Sequence, residues 1–246
     1  MRVLGPTFGN GTTWPVRWGR FRNALLDLVL PPCCAGCGHS GSLWCAACHS
    51  GVQVVRDPVC SSCGRPLRSP ENVCPQCRHS PHQIDGIRSV VVFEGPLRQA
   101  IHHLKYKGRS SLAEPLGSFL SAYWRGGPLP ADLIVPVPLH AARWRERGYN
   151  QSALLATQLS RASGLPLIEE ALTRIRATAP QITLNAAERE ANVSGAFEAR
   201  ADLVHGRRAL LVDDVCTTGA TLAACSQALK QAGATSVWAL TLARAP

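Results

Sequence analysis

The sequence has few acidic side chains, almost no lysine and no long hydrophobic run. Its apolar stretches stay well short of the roughly 18 residues of a membrane helix, so we expect no membrane insertion. Lysine occurs only at positions 105, 107 and 230, and 16 Asp and Glu stand against 26 Lys and Arg, for a formal net charge of +10. This excess suits an anionic partner such as a nucleotide, a phosphosugar or a nucleic acid. A GC-rich genome that encodes arginine freely would give the same composition.

The first 30 residues contain no export signal that we recognise. The apolar run 24–30 includes Asp27 and leads into Pro31 and Pro32 without a small-residue cleavage site. We therefore expect residues 1–20 to be a flexible lead, residues 21–30 to form a short amphipathic helix, and the protein to be cytoplasmic.

Nine of the eleven cysteines lie between positions 33 and 77. Eight of them form four C-x-x-C pairs, which are Cys34 and Cys37, Cys45 and Cys48, Cys60 and Cys63, and Cys74 and Cys77. Eight thiolates make two tetrahedral zinc sites, and sites with four protein ligands are structural because no position is left open. A sequential and a cross-braced pairing use the same eight residues. Disulfides are the alternative, but they need an oxidising compartment.

From about residue 84 onward, short apolar runs alternate with amphipathic segments. Strands are expected at 87–95, 132–139, 207–215 and 236–244, and helices at 97–108, 111–124, 150–164 and 219–234. Strand–helix alternation predicts an α/β fold with a parallel sheet, whose ligands bind beyond the carboxyl ends of the strands. We expect residues 21–82 to form a small N-terminal zinc-ribbon domain with its helix, and residues 83–246 to form the α/β domain.

The segment 210–221 joins a buried strand to two acids and a loop suited to phosphate. The acids are Asp213 and Asp214, and the loop residues are Thr217, Thr218, Gly219, Ala220 and Thr221. Backbone N–H groups at the start of the following helix suit a phosphate. Carboxylates accept hydrogen bonds from a ribose diol and reach a hydrated Mg²⁺ ion. A ligand with a terminal phosphate, a diol and a magnesium-bound anion, such as 5-phosphoribosyl 1-diphosphate, satisfies both halves.

This segment resembles the phosphoribosyl-diphosphate motif of type I phosphoribosyltransferases. Together with the paired cysteines and the segments 135–152, 172–181 and 188–197, it makes the chain similar to the ComF family, over about residues 22–244. The resemblance implies a type I phosphoribosyltransferase-like domain behind a double zinc ribbon, with a role in natural competence and DNA uptake. Members of that family usually carry Phe where this chain has Tyr149.

Two further segments are expected to complete the site. The loop 138–150 suits a leaving pyrophosphate, and the segment 174–197 has the character of a flap that closes over it. The residues assigned to pyrophosphate or flap contacts are Lys105, Leu139, Arg143, Arg147, Gly148, Asn150, Arg174, Arg176, Gln181 and Arg189.

Three functions remain open on the sequence alone. The first is an enzyme that transfers a phosphoribosyl group to an unidentified acceptor with Mg²⁺. The second is a protein that binds single-stranded DNA through basic loops and exposed aromatics, for which the candidates are Trp14, Trp18, Trp44 and Trp124. The third is a sensor of phosphoribosyl diphosphate that regulates a partner such as a competence helicase.

Overall fold

The computed structural model describes residues 31–67, 71–79, 83–177 and 192–245. The expected lead 1–20 and helix 21–30 therefore lie outside the described residues. Across the described ranges, no helix combines the length and the apolar character needed to cross a membrane.

Strands and helices alternate from residue 86 onward, as the sequence predicts. The helices are α1 (Ala46–Ser50), α2 (Pro75–His79), α3 (Gly95–Tyr106), α4 (Ala113–Gly126), α5 (Ala141–Arg147), α6 (Gln151–Ser163), α7 (Ala201–Val204) and α8 (Ala220–Gln231). The strands are β1 (Gly86–Val92), β2 (Leu133–Pro136), β3 (Leu172–Arg174), β4 (Phe197–Ala199), β5 (Arg208–Cys216) and β6 (Ser236–Arg244). Single turns of 3₁₀ helix lie at Ser110–Leu112 and Glu169–Ala171.

Four strands form one parallel sheet in the order β1-β6-β5-β2. Strands β5 and β6 are central and pair from Arg208↔Ser236 to Cys216↔Arg244. Their apolar runs are continuous rather than alternating because helices cover both faces of such a sheet. The α/β class with a parallel sheet is thus confirmed.

The core has one layer on each face of the sheet. Leu104 of α3, Leu120 of α4 and Leu155 of α6 are fully buried in the first layer. Leu222 and Leu229 of α8 are buried in the second. The sheet is parallel, so β2 and β5 end at the same edge, and the chain turns there into α5, α6 and α8. Residues from these turns are therefore brought together at one place.

The cysteine-rich segment has little core of its own and is built from tight turns. Helices α1 and α2 begin directly after Cys45 and Cys74. Gly38 and Gly64 adopt positive φ angles of 81° and 69°, as expected of a residue that follows a metal-binding pair. The segment contacts the α/β domain through a bridge between Val54 and Val91.

Two expectations for the loops were incomplete. The loop 138–150 contains helix α5, which begins after His140, whose Nδ1 accepts a hydrogen bond from the backbone N–H of Ala142, and ends at Gly148 with φ of 80°. None of its residues is buried, so it has no apolar period for sequence reasoning to detect. The ends of the expected flap form the antiparallel pair β3–β4, with Arg174 opposite Phe197.

Candidate functional site at the carboxyl end of strand β5

Two adjacent carboxylates lie near the end of the central strand β5. Asp214 is 2% exposed, whereas Asp213 is partly exposed. Side chains of consecutive strand residues point to opposite faces of the sheet, so the two acids meet different neighbours. They lie at the edge where a parallel sheet binds its ligands.

Asp213 is held by the start of helix α6. Its Oδ1 atom accepts hydrogen bonds from Ser152 Oγ at 2.8 Å and from the backbone N–H of Asp214 at 2.9 Å. Asn150 caps α6, because its Oδ1 atom accepts from the N–H of Ser152 at 3.0 Å. The Asn150 Nδ2 group donates to the carbonyl of Val137 at 3.0 Å, which fastens α6 to the chain leaving β2. Asn150, predicted to contact pyrophosphate, is thus also the N-cap of α6.

Asp214 is paired with a lysine from α3. Lys105 Nζ lies 2.9 Å from Asp214 Oδ2. Burial disfavours the charged form of Lys105, but the negative charge of Asp214 outweighs it and raises the pKa of the ammonium group. Lys105 therefore stays cationic at the site at neutral pH.

Burial and a neighbouring carboxylate both act on the ionisation of Asp213. Desolvation and the neighbouring charge of Asp214 raise the pKa of Asp213 to about 7, against the opposing charge of Lys105. A carboxyl group that holds its proton in the fold and loses it in the unfolded chain costs stability as the pH rises. This cost grows from the unfolded pKa of 3.8 up to the folded value of about 7.

Replacing Asp213 by asparagine is therefore expected to stabilise the protein at alkaline pH. Near pH 8 the melting temperature should rise by about 2–4 °C, the shift for roughly 1 kcal/mol in a protein of this size. At about pH 5 only the part of the cost that accrues between pH 3.8 and 5 is present, so the rise should be less than half as large. Asp132 is the control, because its hydrogen bonds with Arg208 lower the pKa of its carboxyl to about 2. A rise for Asp132→Asn, or an equal rise for Asp213→Asn at both pH values, would contradict this account.

The turn after β5 leads into helix α8 through a glycine. Gly219, the cap residue, has a φ of 86° and no side chain that could cap the first turn. A Cβ atom at Gly219 would lie 3.1 Å from Ile87 Cδ1, so only glycine fits without strain. Thr218 Oγ1 accepts a hydrogen bond from the N–H of Ala220 at 3.4 Å, and Thr221 lies in the first turn of the helix.

The basic residues of 138–150 fall into two groups. Arg147 donates to Gln151 Oε1 and lies with its guanidinium carbon 5.4 Å from the ring centre of Tyr106, so it faces α3. Arg143 forms an exposed ion pair with Glu146 at 2.9 Å. Such a surface pair contributes little stability. Leu139 is partly exposed between β2 and α5, and Gly148 ends that helix.

The flap residues are only partly described. The guanidinium carbon of Arg174 lies 5.5 Å from the ring centre of Phe197. Burial lowers the pKa of Arg174, while the nearby Cys225 and Asp213 raise it, so Arg174 lies within electrostatic reach of the acid pair. Arg176 donates to the carbonyls of Asn192 and Ser194 at 3.1 and 2.6 Å. Gln181 and Arg189 lie outside the described residues.

The eight paired cysteines form two sequential clusters. One contains Cys34, Cys37, Cys45 and Cys48, and the other contains Cys60, Cys63, Cys74 and Cys77. Within each cluster the sulfur atoms all lie within 4.8 Å of one another. In the first cluster the sulfur of Cys34 lies 3.7 Å from that of Cys48, and the sulfur of Cys37 lies 3.6 Å from that of Cys45. In the second cluster the sulfurs of Cys63 and Cys74 are 3.8 Å apart. A tetrahedral zinc site with Zn–S bonds of about 2.3 Å requires sulfurs about 3.8 Å apart.

Backbone N–H groups complete both clusters as zinc sites. The N–H groups of Gly36 and Cys45 donate to Cys34 Sγ at 3.4 Å, and that of Cys74 donates to Cys60 Sγ at 3.3 Å. Such bonds stabilise thiolates over thiols. None of the eleven cysteines forms a disulfide, and Cys33 belongs to neither cluster. The clusters fit zinc, and the sequential pairing replaces the cross-braced alternative.

Several contacts of the site were not anticipated from the sequence. Ser152 is fully buried and donates a hydrogen bond to Asp213. The only feature of the sequence that could have indicated this role is its position two residues after Asn150, the cap of α6. Among the tryptophans named above, Trp44 is 9% exposed and Trp124 packs against the core, so neither is a stacking platform. Trp14 and Trp18 lie outside the described residues. Of the tryptophans within the described ranges, the exposed one is Trp144 of α5.

Comparison with known proteins identifies two domain families in the chain. Residues 25–78 match the double zinc ribbon domain family, and residues 151–246 match the phosphoribosyl transferase domain family. The chain is 37% identical to the DNA utilization protein YhgH of Escherichia coli K12, covering 87% of this chain and 98% of that protein. It is 32% identical to competence protein F of Haemophilus influenzae, covering 82% and 90%. It is 31% identical to competence protein ComFC of Bacillus subtilis, covering 81% and 83%.

Proposed function

Since the chain belongs to the family of competence protein F and the DNA utilization protein YhgH, we propose that it binds 5-phosphoribosyl 1-diphosphate with Mg²⁺. The binding site is the carboxyl end of β5 together with the start of α8. The observation that carries the proposal is the acid pair Asp213 and Asp214, followed within five residues by the start of a helix whose cap residue is Gly219. In this proposal residues 21–82 form the metal-binding domain and residues 83–246 form the phosphoribosyl domain.

Each part of the ligand has a matching group in the site. The 5-phosphate accepts hydrogen bonds from the N–H groups of the 217–221 turn, where the positive end of the α8 dipole favours an anion. The ribose hydroxyls donate to the carboxylates of Asp213 and Asp214. The diphosphate lies toward Lys105, which is paired with Asp214, and toward Arg147, which belongs to none of the ion pairs in the described ranges. Carboxylates alone would repel the ligand, so these cations are essential to the proposal.

The acids also suit a magnesium ion that arrives with the ligand. In the described residues, the hydrogen bonds to Asp213 engage only its Oδ1 atom. Carboxylate oxygens are ligands that Mg²⁺ accepts while it keeps several waters and substrate phosphate oxygens. The ion would neutralise charge on the diphosphate, and the chain's own residues would orient the sugar.

The reaction that suits these groups is phosphoribosyl transfer. An acceptor forms a bond to C1 of the ribose as the C1–O bond breaks, and pyrophosphate leaves. Charge develops on the leaving group, and cations such as Lys105, Arg147 and Arg174 stabilise it when they are already oriented. Arg174, at the end of β3, is a flap cation on which the charge of Asp213 acts.

The experiment is an assay of pyrophosphate release with a panel of amine, nucleobase and oligonucleotide acceptors. Acceptor-dependent release that is lost in Lys105→Gln would support the transferase. Lys105→Arg is the matched control, because it keeps the charge beside Asp214. Binding of the ligand without release by any acceptor would favour the sensor of phosphoribosyl diphosphate, acting on a partner such as a helicase.

A second candidate function is the binding of single-stranded DNA. The observation that favours it is a surface with two exposed aromatics, Trp144 at 54% and Tyr106 at 53% exposure. Arg147 lies over the ring of Tyr106, and Arg143 and Arg145 flank Trp144 in the sequence. Bases stack on aromatic rings while arginines neutralise phosphates, and such binding has little sequence preference. The names of the relatives, which refer to competence and DNA utilization, agree with this candidate.

Trp144→Ala is expected to weaken binding of a single-stranded oligonucleotide about 10-fold, the value of one stacked base. Trp144→Phe keeps a ring and should retain most of the affinity. Arg143→Ala with Arg145→Ala should reduce the log–log salt slope by about 1.4, at about 0.7 per phosphate contact. Fluorescence anisotropy over a salt series measures both the affinity and the salt slope. Arg161→Ala on α6 is the control for the loss of one positive charge. Equal effects of Trp144→Ala and Arg161→Ala would remove this surface from consideration.

A further inference from the structure

Arg244, the last residue of β6, is a buried cation that the proposed ligand site does not use. It is 3% exposed. Its Nη1 atom donates to the carbonyl oxygen of Cys63 and to Cys216 Sγ, both at 2.9 Å, and its Nη2 atom lies 4.0 Å from Cys63 Sγ. A buried guanidinium needs a negative partner. The ion pairs in the described part of the chain do not include Arg244.

The second cysteine cluster supplies the missing negative charge when zinc is bound. Four thiolates around one Zn²⁺ ion carry a net charge of about −2. All four cysteines of this cluster are buried, so that charge is poorly screened and a buried arginine beside it is stabilised. The first cluster differs: its Cys37 is exposed, and the nearby imidazole Nδ1 of His39, 3.3 Å from Cys37 Sγ, is exposed too.

Arg244 joins this cluster to the turn that precedes α8. Cys216 is the last residue of β5 and directly precedes Thr217 and Thr218. We call residues 216–221 the phosphate turn. The guanidinium of Arg244 thus contacts both Cys63, a metal ligand, and Cys216, the first residue of the phosphate turn. Contacts from a residue that does not itself bind the metal to the residues that do orient those ligands and strengthen metal binding.

A second connection runs in parallel through Ile87. Its backbone N–H donates to the carbonyl of Ser62 at 2.8 Å, within the turn between Cys60 and Cys63. Its side chain packs against Gly219, where an added Cβ atom would lie 3.1 Å from Ile87 Cδ1. The turn that carries two zinc ligands therefore supports the phosphate turn at both of its ends, Cys216 and Gly219.

We propose that Arg244 is a positioning residue that couples zinc occupancy of the second cluster to the conformation of residues 216–221. Loss of that zinc removes the counter-charge of Arg244 and frees the Cys60–Cys63 turn, so both supports of the phosphate turn weaken. Loss of zinc from the first cluster leaves them in place. The consequence for ligand affinity rests on the proposed function, whereas the coupling itself does not.

The first test compares one cysteine variant from each cluster by amide hydrogen exchange. Cys77→Ser removes a ligand of the second cluster, and Cys37→Ser removes one of the first. Exchange of residues 216–221 should become at least about 10-fold faster in Cys77→Ser and stay near the wild-type rate in Cys37→Ser. Equal rates in the two variants, whether raised or unchanged, would overturn the coupling.

The second test changes the connecting side chain and leaves all eight ligands intact. Arg244→Gln should release the second zinc to a chromogenic chelator about 10-fold faster than the wild type and speed exchange of 216–221. Arg208→Gln is the control, since Arg208 lies at the start of β5, where Asp132 holds its guanidinium. If Arg244→Gln does not fold, Arg244→Lys is used, which keeps the charge with a single donor group. Release from the chosen variant at the Arg208→Gln rate would overturn the proposal.

Neither hydrogen exchange nor zinc release uses a phosphoribosyl ligand. The coupling and the proposed ligand site can therefore be refuted independently of each other. Wild-type protein that does not bind 5-phosphoribosyl 1-diphosphate would refute the proposed function and leave the exchange result standing. If it does bind, Cys77→Ser should lose more affinity than Cys37→Ser. Similar losses in both variants would contradict the coupling while preserving the ligand site.

Discussion

Replacing Asp213 and Asp214 together by asparagine is expected to weaken binding of 5-phosphoribosyl 1-diphosphate about 100-fold. Two hydrogen bonds to ionised acceptors are lost, each worth about 1.5–3 kcal/mol. The direction is diagnostic, because removing two negative charges from the site would by itself strengthen the binding of an anion. Calorimetric titration in the presence of Mg²⁺ measures the change.

The matched control removes two carboxylates from the surface. Asp132 and Asp202 form exposed ion pairs with Arg208 and Arg200, away from β5's carboxyl end. The Asp132→Asn and Asp202→Asn double variant changes the net charge equally and should bind the ligand as the wild type does. A double variant at 213 and 214 that folds and binds normally would show that the acids do not contact the sugar.

Zinc removal is the second change with a large expected effect. The purified protein should contain two zinc ions per chain, one for each cysteine cluster. The cysteine-rich segment has little apolar core, so the metal supplies its folding free energy, of the order of 10 kcal/mol per site in small zinc domains. Cys60→Ser should retain the ion of the first cluster and expose the segment around the second cluster, residues 60–77, to proteolysis. The α/β domain should stay folded, because its two core layers do not depend on those residues alone.

Elemental analysis and thiol titration decide this prediction. Protein prepared under reducing conditions should yield zinc near two per chain and few reactive thiols until a strong chelator is added. Cys33→Ser is the control, since Cys33 lies in neither cluster. Zinc near zero, or a Cys33→Ser variant that loses an ion, would contradict the assignment of ligands.

The main sheet was predictable because each of its strands is buried on both faces. The run 236–244 was predicted as a strand and is β6 with the same bounds, and 207–215 differs from β5 by one residue at each end. Helix α6 was equally clear, since Asn150 caps it and Gly164 ends it with φ of 75°. In these segments local patterning and tertiary burial agree.

Short elements on the surface were missed because they carry no apolar period. Helix α5 is wholly unburied, and its bounds are set by His140 and Gly148 rather than by a hydrophobic face. Strands β3 and β4 have three residues each and come together across about 20 residues of chain that contain the expected flap. Pairing over such a distance is a tertiary effect that no local window reports.

In the candidate site, too, contiguous motifs were predicted from the sequence, and contacts between distant residues were not. The acid pair and the phosphate turn are contiguous, so the motif located them. The cysteines were found by their spacing, but only the fold separates sequential from cross-braced clusters. Ser152, the Lys105 pairing with Asp214 and the Arg244 bridge join residues distant in the chain. Those partners follow from the order of strands in the sheet, and no single segment encodes them.

The central claim is tested most directly by titrating the wild-type protein with 5-phosphoribosyl 1-diphosphate and Mg²⁺ in a calorimeter. The account predicts saturable binding at one site per chain that weakens without Mg²⁺. Ribose 5-phosphate should bind more weakly, since it leaves Lys105 and Arg147 without the diphosphate. Zinc-loaded, folded protein that gives no binding heat and no thermal stabilisation with the diphosphate would contradict the claim.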